Sequence, residues 1–228
     1  MFVETGGTGL MGRELSKIMK VIPLKHEDMD IKCERNVRTV LDKIEPDLVI
    51  HLAAMTDLIR AEKEKCLTYQ TNVVGSRNVS RWVKTLYIST DYVFDGEKGY
   101  YKETDIPNPL NYYSLTKLLG EDEVLKNGGK VLRLSFKPRP YEHNKVPREM
   151  YFSGGYVDDM AKEIKWAAEN FKLLAPLTHV GFRRISLLDF ARQTRDVKEM
   201  SIKDVPVLIP RDVSLDLSLW KKTKCLKD

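Results

Sequence analysis

Three side chains in the middle of the chain are of types that together can protonate a carbonyl oxygen: the hydroxyl of Thr90, the phenol of Tyr113 and the ammonium of Lys117. The apolar, β-rich run at residues 85–88 predicts a buried strand that ends near Thr90. Apolar residues at helical spacing between 118 and 125 predict a helix, on which Tyr113 and Lys117 lie one turn apart on the same side. A strand end and a helix face would therefore present all three groups to one cleft.

The ammonium matters because a phenol, with a pKa of about 10, is a poor acid at neutral pH. An opposite charge about 4 Å away, at an effective dielectric constant of about 20, is worth about 4 kcal/mol, or up to about 3 pKa units. We therefore expect Lys117 to lower the pKa of Tyr113 toward the range of efficient general acid–base catalysis. Thr90 would hold the carbonyl oxygen that Tyr113 protonates, while Asp91 and Tyr92 would reach the hydroxyls of a sugar.

The four-residue spacing of tyrosine and lysine is weak evidence by itself, because the chain has 10 tyrosines and is rich in lysine. A second pair with the same spacing, Tyr141 and Lys145, lies in a Pro-rich segment that cannot form a stable helix. We expect Tyr141→Phe to have no effect, and the basic segment 137–149 to be mobile. Two other features support a role for Tyr113: Thr90 at the end of the preceding strand, and the glycine loop near the N-terminus.

That loop follows a short strand at residues 2–4 and precedes a helix, the context in which glycine patterns bind dinucleotides. Gly6 permits a tight turn, Gly9 lets the backbone approach a pyrophosphate, and Gly12 lets the helix pack on the strand. The helix N-terminus, at Leu10 and Met11, supplies N–H donors and positive potential to the phosphates.

The second predicted strand, residues 21–24, is followed by basic residues. NAD-binding proteins often place an acid there, which binds the ribose hydroxyls. Here Lys25 and His26 follow the strand, and Arg13 flanks the loop. These residues favour a 2′-phosphate, so the predicted cofactor is NADPH in preference to NADH.

The alternation of strands and helices up to residue 135 predicts an α/β fold with a Rossmann-like, doubly wound parallel sheet. We expect a dinucleotide-binding domain at residues 1–135 and a small C-terminal substrate-binding lobe at 136–228, of which about 157–181 returns to the sheet. Ligands in such folds bind beyond the carboxyl ends of the strands, where the motifs fall.

Composition argues against several other classes of protein. The 228 residues are 42% hydrophobic and 31% charged, with no apolar run long enough for a membrane span. The net charge of +5 is dispersed rather than gathered in a basic stripe, so we expect no nucleic-acid partner. Three scattered cysteines and no signal-peptide pattern predict a cytoplasmic protein, and the four histidines have no metal-binding spacing.

The string Ser-Thr-Asp-Tyr-Val-Phe-Asp-Gly at residues 89–96, the residues Pro-Asn-Pro-Leu-Asn at 107–111, and the Tyr113–Lys117 pair resemble the dTDP-4-dehydrorhamnose reductase family. This family belongs to the extended short-chain dehydrogenase/reductases. The resemblance implies NADPH-dependent reduction of the 4-keto group of a nucleotide-linked 6-deoxy sugar in dTDP-L-rhamnose biosynthesis, with Thr90, Tyr113 and Lys117 as catalytic residues. A homodimer is left open.

The resemblance and the residue types also assign binding roles. Small residues after the third strand would let the cofactor lie over the strand ends. Phe136 stands where the family usually has a tryptophan that packs on the sugar. The expected cofactor contacts outside the glycine loop are Asp30, Ile31, Ala53, Ala54, Met55, Asn72, Tyr113 and Lys117, and the expected substrate contacts are Asp91, Tyr92, Phe136 and Arg211.

Two alternatives stay open from the sequence. One is another sugar-nucleotide enzyme on the same scaffold, an epimerase or a dehydratase. A dehydratase would be expected to carry an acid pair after Thr90, and only Asp91 is acidic. The other is a non-catalytic NADP-binding regulatory subunit, like the relatives that accompany methionine adenosyltransferase.

Two connections look too short in this reading. If the first helix runs through Lys20, no residue is left before a strand at Val21, and a helix through Trp82 leaves only two residues before Thr85. Helix-to-strand connections normally take about 2–6 residues. We therefore expect loops to be missing from the sequence at both places.

Overall fold

A sheet of six parallel strands forms the centre of the computed structural model, which describes residues 1–226. Its order is β10-β5-β4-β3-β1-β2, and the short strands pair separately, β6 with β9, β7 with β12 and β8 with β11. In chain order the strands are β1 Phe2–Thr5, β2 Val21–Leu24, β3 Leu48–His51, β4 Thr85–Thr90, β5 Lys130–Leu134, β6 Phe136–Lys137, β7 Lys145–Pro147, β8 Tyr151–Phe152, β9 Gly155–Tyr156, β10 Leu177–His179, β11 Ile185–Ser186 and β12 Lys198–Met200.

Helices cover both faces of this sheet, which is the doubly wound arrangement predicted from the sequence. Helices α1 and α7 pack together on one face, while α2, α5 and α6 pack on the other. The helices are α1 Leu10–Ile18, α2 Glu34–Ile44, α3 Leu58–Lys63, α4 Lys65–Tyr69, α5 Gly75–Ser80, α6 Tyr112–Lys126, α7 Val157–Glu169, α8 Leu187–Arg192 and α9 Ser218–Cys225, with a π-helical turn at Gln70–Val74 and 3-10 turns at Asp91–Val93, Phe171–Leu173 and Ile202–Asp204.

The inner strands are apolar along their whole length because both of their faces are buried, as β3 shows. Side chains alternate between the two faces of a strand, and both faces of this sheet are covered by helices. Leu48 and Ile50 pack in the cluster formed with α1 and α7, whereas Val49 packs with α2 and α5. Burial on both sides fixes the register and brings the strand ends to one edge.

The chain crosses the sheet between β2 and β3, which leaves a crevice between β1 and β3 at their carboxyl ends. Ligands of open α/β sheets bind at such a crossing point. The two strands are tied there by a buried hydrogen bond of 2.6 Å between Thr5 Oγ1 and His51 Nδ1. Thr90 ends the next strand, so it lies on the same edge.

The chain beyond residue 135 contributes to the sheet and also builds a separate apolar cluster. Helix α7 packs on α1, and β10 pairs with β5. The prediction that 137–149 is mobile is wrong, because Tyr141, Val146 and Met150 are at most 3% exposed and belong to the second cluster. The pairing of β7 with β12 fixes this segment further.

The predicted shortage of connecting residues is also wrong, because both helices end earlier than their apolar pattern suggests. Met19 is already extended, with φ −144° and ψ 154°, so Met19 and Lys20 connect α1 to β2. Helix α5 ends at Ser80, which leaves residues 81–84 before β4. Connections of two and four residues lie within the usual range of about 2–6. Within residues 1–226, no helix is both long and apolar enough to cross a membrane.

Candidate active site

A cavity of about 970 Å³ lies beyond the carboxyl ends of the strands. This volume is at the upper end of the range of about 300–1,000 Å³ for small-molecule sites. The glycine loop lines one end of the cavity, and residues 136–150 and 205–209 line the other. Thr90, Tyr113 and Lys117 all line the space between them, so the structure brings the three predicted catalytic residues together.

The glycine loop is packed so tightly that side chains would not fit. Gly6 has a φ of +71°, and a Cβ at this position would lie 2.9 Å from the amide nitrogen of Ala53. A Cβ on Gly12 would lie 2.7 Å from the Cα of Gly7. These approaches hold the loop against β3 and let α1 begin directly on it.

The N-terminus of α1 is left uncapped by side chains. Gly9 is the N-cap residue, and no side chain hydrogen-bonds to the first turn, which contains Leu10 and Met11. All three residues line the cavity. Free amide groups and the positive end of a helix suit a phosphate, so the loop fits the pyrophosphate of a dinucleotide.

Charged residues line the cavity beyond β2. Lys25, His26, Asp30 and Lys32 lie there, whereas Arg13 bonds to a loop carbonyl and does not line the cavity. Asp30 Oδ1 lies 3.9 Å from His26 Nδ1 and 3.9 Å from Lys32 Nζ. The acid therefore lies between an imidazole and an ammonium, and Lys32 joins the residues expected to favour a 2′-phosphate.

Asn72 holds the loop that follows β3. Its amide accepts a hydrogen bond of 2.7 Å from the Met55 backbone N–H, donates one of 3.1 Å to the Met55 carbonyl, and donates one of 2.9 Å to Thr116 Oγ1. Ala53 and Ala54 line the cavity, as does Ile31, but Met55 and Asn72 do not. The structure therefore gives Asn72 a positioning role.

Thr90 and Asp91 form the corner where β4 ends. Thr90 Oγ1 accepts a hydrogen bond of 3.1 Å from the Tyr92 backbone N–H and donates one of 3.3 Å to Asp91 Oδ1. Asp91 is 1% exposed, and its Oδ2 has no hydrogen-bond partner in residues 1–226. Burial raises the pKa of Asp91 to about 7, against the opposing positive charge of Lys137. The corner therefore contains a buried carboxylate oxygen that has no hydrogen-bond partner within residues 1–226.

Helix α6 begins beside this corner and carries the phenol and the ammonium. Asn111 caps it by accepting a hydrogen bond of 2.9 Å from the Ser114 backbone N–H. Lys117 Nζ donates a hydrogen bond of 2.8 Å to the carbonyl of Ile88 and lies 4.0 Å from the centre of the Tyr87 ring. Burial lowers the pKa of Lys117 to about 7, although the charge of Glu121 opposes this.

The prediction that Lys117 lowers the pKa of Tyr113 is wrong. Burial raises the pKa of the Tyr113 phenol well above 10; the neighbouring Thr90 hydroxyl opposes this, and the negative charge of Asp91 adds to it. The reason is that burial outweighs the nearby groups at the phenol, and burial also lowers the pKa of Lys117. Tyr113 is held in its neutral, proton-donating form.

A buried ion pair that we did not predict lies beneath the site. Glu121 and Arg133, at most 3% exposed, are joined by hydrogen bonds of 2.7–3.1 Å, and Ser89 Oγ donates one of 2.5 Å to Glu121. These contacts tie β4, β5 and α6 together immediately behind Thr90. Glu121 lies one turn after Lys117 on α6, so the sequence spacing could have indicated a carboxylate close to Lys117.

The far half of the cavity contains residues that the sequence prediction dismissed or omitted. Phe136 and Tyr92 line it as expected, and Lys137 and Tyr141 line it as well. Tyr141 is 3% exposed and lies at the cavity, and the expectation that Tyr141→Phe has no effect stays a prediction. In the sequence, the hydrophobic residues Tyr141, Val146 and Met150 recur every four or five positions, which could have indicated that this segment packs.

Arg211 is not brought to the cavity. Its side chain is exposed, and its carbonyl accepts a hydrogen bond of 2.6 Å from the Tyr151 backbone N–H. The neighbouring Asp212 amide donates one of 3.0 Å to the carbonyl of Gly96. These bonds fix the segment on the outside of the lobe. Within residues 1–226, no group of three or more His, Cys, Asp or Glu residues is arranged to hold a metal ion.

Comparison with known proteins identifies the family of this chain. The family model of the RmlD substrate binding domain matches residues 1–138. The glycine loop and the site residues on β4 and α6 lie within this range, so the match includes the catalytic residues predicted above.

Two curated relatives have different roles. The chain is 36% identical over 156 residues to a dTDP-4-dehydrorhamnose reductase of Aggregatibacter actinomycetemcomitans, covering 62% of this chain and 53% of that protein. It is 35% identical over 150 residues to the methionine adenosyltransferase 2 subunit beta of Bos taurus, covering 57% of this chain and 45% of that protein. The chain thus spans about half the length of these curated relatives.

Solved structures match over nearly the whole chain. A hypothetical dTDP-4-dehydrorhamnose reductase from Sulfolobus tokodaii has a TM-score of 0.85 and 30% identity, covering 97% of this chain and 93% of that one. A dTDP-4-dehydrorhamnose reductase from Bacillus anthracis, in complex with NADP, has a TM-score of 0.84 and 26% identity, covering 97% and 90%. The predicted fold class is confirmed, and the chain belongs to the RmlD substrate binding domain family of dTDP-4-dehydrorhamnose reductase-like proteins.

Proposed function

We propose that this chain is an NADPH-dependent reductase of the 4-keto group of a dTDP-linked 6-deoxy sugar. The observation that carries the proposal is the placement of Thr90, Tyr113 and Lys117 on one cavity wall, next to a glycine loop and an uncapped helix N-terminus. The relatives named dTDP-4-dehydrorhamnose reductase support the substrate, and the NADP complex of the Bacillus anthracis protein supports the cofactor.

The residues of the first half of the cavity fit NADPH. The amide groups at Leu10 and Met11 would hold the pyrophosphate, and Lys25 and Lys32 would face a 2′-phosphate. Bound NADPH supplies the hydride for the reduction. Ala53 would lie close to the cofactor, since it has no long side chain to block the strand ends.

The catalytic residues handle the carbonyl oxygen. Thr90 would orient this oxygen, and Tyr113 would give it the phenolic proton as the carbonyl carbon accepts a hydride. Burial keeps Tyr113 protonated until that moment. Lys117, one turn away on α6, would stabilise the phenolate that remains, and a proton from solvent would restore the phenol.

The far half of the cavity would hold the sugar nucleotide. Asp91 and Tyr92 would contact sugar hydroxyls, and Phe136 would pack on the ring. The proposed partner is this small molecule, in the cytoplasm and without a membrane partner, and the dispersed net charge of +5 supports the absence of a nucleic-acid partner.

The direct test is consumption of NADPH by the purified chain with dTDP-4-dehydrorhamnose. We expect stoichiometric oxidation of NADPH and formation of a 4-hydroxy sugar. An epimerase would convert the sugar with no net consumption of cofactor, and that outcome would overturn the proposal.

The second candidate function is a regulatory subunit, which the 35% identity to the methionine adenosyltransferase subunit favours. Such a subunit would bind NADPH without consuming it and would change the activity of a methionine adenosyltransferase on mixing. A chain that turns over the keto sugar and leaves that enzyme unaffected would exclude this alternative.

A further inference from the structure

His51, the last residue of β3, is a buried histidine to which the proposed function gives no role. It is 0% exposed and does not line the cavity. Its Nδ1 hydrogen-bonds at 2.6 Å to Thr5 Oγ1, and its Nε2 at 3.2 Å to Ser76 Oγ. Burial, together with the charge of Lys117, lowers the pKa of His51 to about 3, so the ring is neutral at pH 7. A neutral imidazole donates through one nitrogen and accepts through the other.

The partners of His51 decide which nitrogen carries the proton. Ser76 Oγ donates a hydrogen bond of 2.7 Å to the carbonyl of Asn72, so toward His51 this hydroxyl accepts, and Nε2 is the protonated nitrogen. Thr5 Oγ1 accepts a hydrogen bond of 3.2 Å from the Ala53 backbone N–H, which leaves its own proton for Nδ1. All these hydrogen bonds therefore run in one direction, from Ala53 to Asn72, and the members of such a chain strengthen one another.

The two ends of this chain hold the loop that follows β3. At one end Ala53, which lines the cavity, is held through its N–H by Thr5. At the other end the side chain of Asn72 binds both the N–H and the carbonyl of Met55. Asn72 lies in the π-helical turn, a kind of turn that is frequent at functional sites. His51 thus joins the two anchors of the loop at residues 53–55.

The chain also reaches the helix that carries the proton donor. The Asn72 amide donates to Thr116 Oγ1, which in turn donates a hydrogen bond of 2.8 Å to the carbonyl of Tyr113. Gly120 allows the π-helical turn to lie close to α6, because a Cβ at this position would be 2.6 Å from the carbonyl oxygen of Asn72. Buried hydrogen bonds therefore fix the loop at residues 53–55 relative to the start of α6.

We propose that His51 is a positioning residue that holds this loop, and the cofactor lying over it, in place relative to the phenol of Tyr113. The inference rests on the proposed function, in which the cofactor gives the hydride and Tyr113 gives the proton to one carbonyl group. A misplacement of about 1 Å can lower a rate about 10²-fold. The first turn of α1 holds the phosphates separately, so His51 acts on turnover and not on the affinity for NADPH.

The experiment compares Thr5→Val and His51→Phe with two controls in β10. Thr178→Val removes a buried hydroxyl that has no hydrogen-bond partner within residues 1–226. His179→Phe removes an equally buried imidazole that does not line the cavity. We expect Thr5→Val and His51→Phe to lower kcat by about 10², with the Kd for NADPH nearly unchanged. His179→Phe should lower stability as His51→Phe does, but both controls should keep the wild-type kcat.

Thr5→Ser keeps the hydroxyl and should recover most of the turnover that Thr5→Val loses, because the hydrogen bonds to Ala53 and His51 can form again. A wild-type kcat in Thr5→Val would overturn the positioning role, even if His51→Phe fails to fold. Equal losses of kcat in the β10 controls would also overturn it, since any buried substitution in the sheet would then have the same effect.

Two further measurements need no turnover. If the wild type reduces no keto sugar, the proposed function fails on its own, and these measurements still test the positioning role. Nitrogen-15 NMR, with His51→Phe identifying the signal, should show a neutral His51 ring protonated on Nε2; a proton on Nδ1 would contradict the chain. The fluorescence lifetime of bound NADPH, which reports how rigidly the nicotinamide is held, should shorten in Thr5→Val and not in Thr178→Val. Equal lifetimes would overturn the proposal.

Discussion

The two halves of the cavity are built in different ways. At the cofactor end the part of the wall that suits phosphates is backbone: the loop at Gly6 lies against Ala53, and the first turn of α1 carries no side-chain cap. At the substrate end the wall is made of side chains from short strands and irregular segments, among them Tyr141 and Lys137. A wall of backbone amides can bind any ligand that carries the same phosphates. A wall of side chains is selective, because its shape and hydrogen-bonding groups fit one ligand better than others.

This difference predicts which property of the protein a substitution in each half should change. Changes in the glycine loop should act through backbone strain and lower cofactor affinity together with stability. Changes at the substrate end should act on turnover and selectivity, and leave the sheet intact. The residues of the centre, between the halves, should affect the chemical step alone.

The largest effect is expected at that centre. Tyr113→Phe should lower kcat by about 10²–10⁴, the usual contribution of a general acid, and leave the Kd for NADPH nearly unchanged. Steady-state kinetics and cofactor titration measure the two quantities. Tyr112→Phe is the matched control, because Tyr112 is the preceding residue of α6 and does not line the cavity. Equal effects of the two substitutions would contradict the assignment.

A glycine pair separates backbone strain from close packing at the cofactor end. Gly6 and Gly128 have φ of +71° and +75°, but a Cβ on Gly6 would strike Ala53, and one on Gly128 would meet nothing within 4 Å. Gly128→Ala should cost roughly 1–2 kcal/mol of unfolding free energy, the strain of the left-handed backbone. Gly6→Ala should cost more and should also weaken NADPH binding. Denaturant unfolding and cofactor titration would show it, and equal costs with intact binding would refute it.

Two buried carboxyl groups have the same raised pKa, about 7: Glu4, which lies in β1 away from the cavity lining, and Asp91, which lines the cavity. Because burial raises these pKa values, the folded state keeps the proton that the unfolded state loses above a pKa of about 4–4.5. Stability from each group is therefore present below that pH and is lost as the pH rises to about 7.

Glu4→Gln should therefore stabilise the protein at pH 8 relative to pH 5, by on the order of 1–3 kcal/mol, without changing kcat. Asp91→Asn should show the same pH-dependent gain and should also lower kcat/KM. Unfolding curves at both pH values, with kinetics beside them, make the comparison. A stability difference independent of pH in Glu4→Gln would contradict the account.

The smallest effect concerns the choice between cofactors. NADPH should bind at least about tenfold more tightly than NADH, a difference of about 1.4 kcal/mol. Lys25→Ala should remove much of that preference because Lys25 lines the cavity, while Arg13→Ala should not. Dissociation constants for both cofactors decide it. A tenfold preference for NADH in the wild type would refute this prediction.

The same division explains what could be predicted from the sequence. Glycine spacing, strand-end position and helical periodicity are local, so the loop at Gly6, the corner at Thr90 and the face of α6 could all be placed. The pKa of Tyr113 could not, because it depends on burial by residues far away in the chain. Tyr141 was dismissed because a Pro-rich segment cannot form a helix, yet such a segment can still pack. Arg211 was expected to contact the substrate, but it lies away from the cavity, because a residue type indicates a charge and not where the side chain points.

The central claim is that this chain moves a hydride to C4 of the sugar and a proton to its oxygen. Turnover of dTDP-4-dehydrorhamnose with NADPH that carries deuterium at the transferable position, followed by NMR of the product sugar, tests it directly. We expect deuterium at C4 of the sugar in the wild type and almost none formed by Tyr113→Phe in the same time. NADPH that binds tightly but transfers no deuterium to the sugar would contradict the account and favour a regulatory subunit.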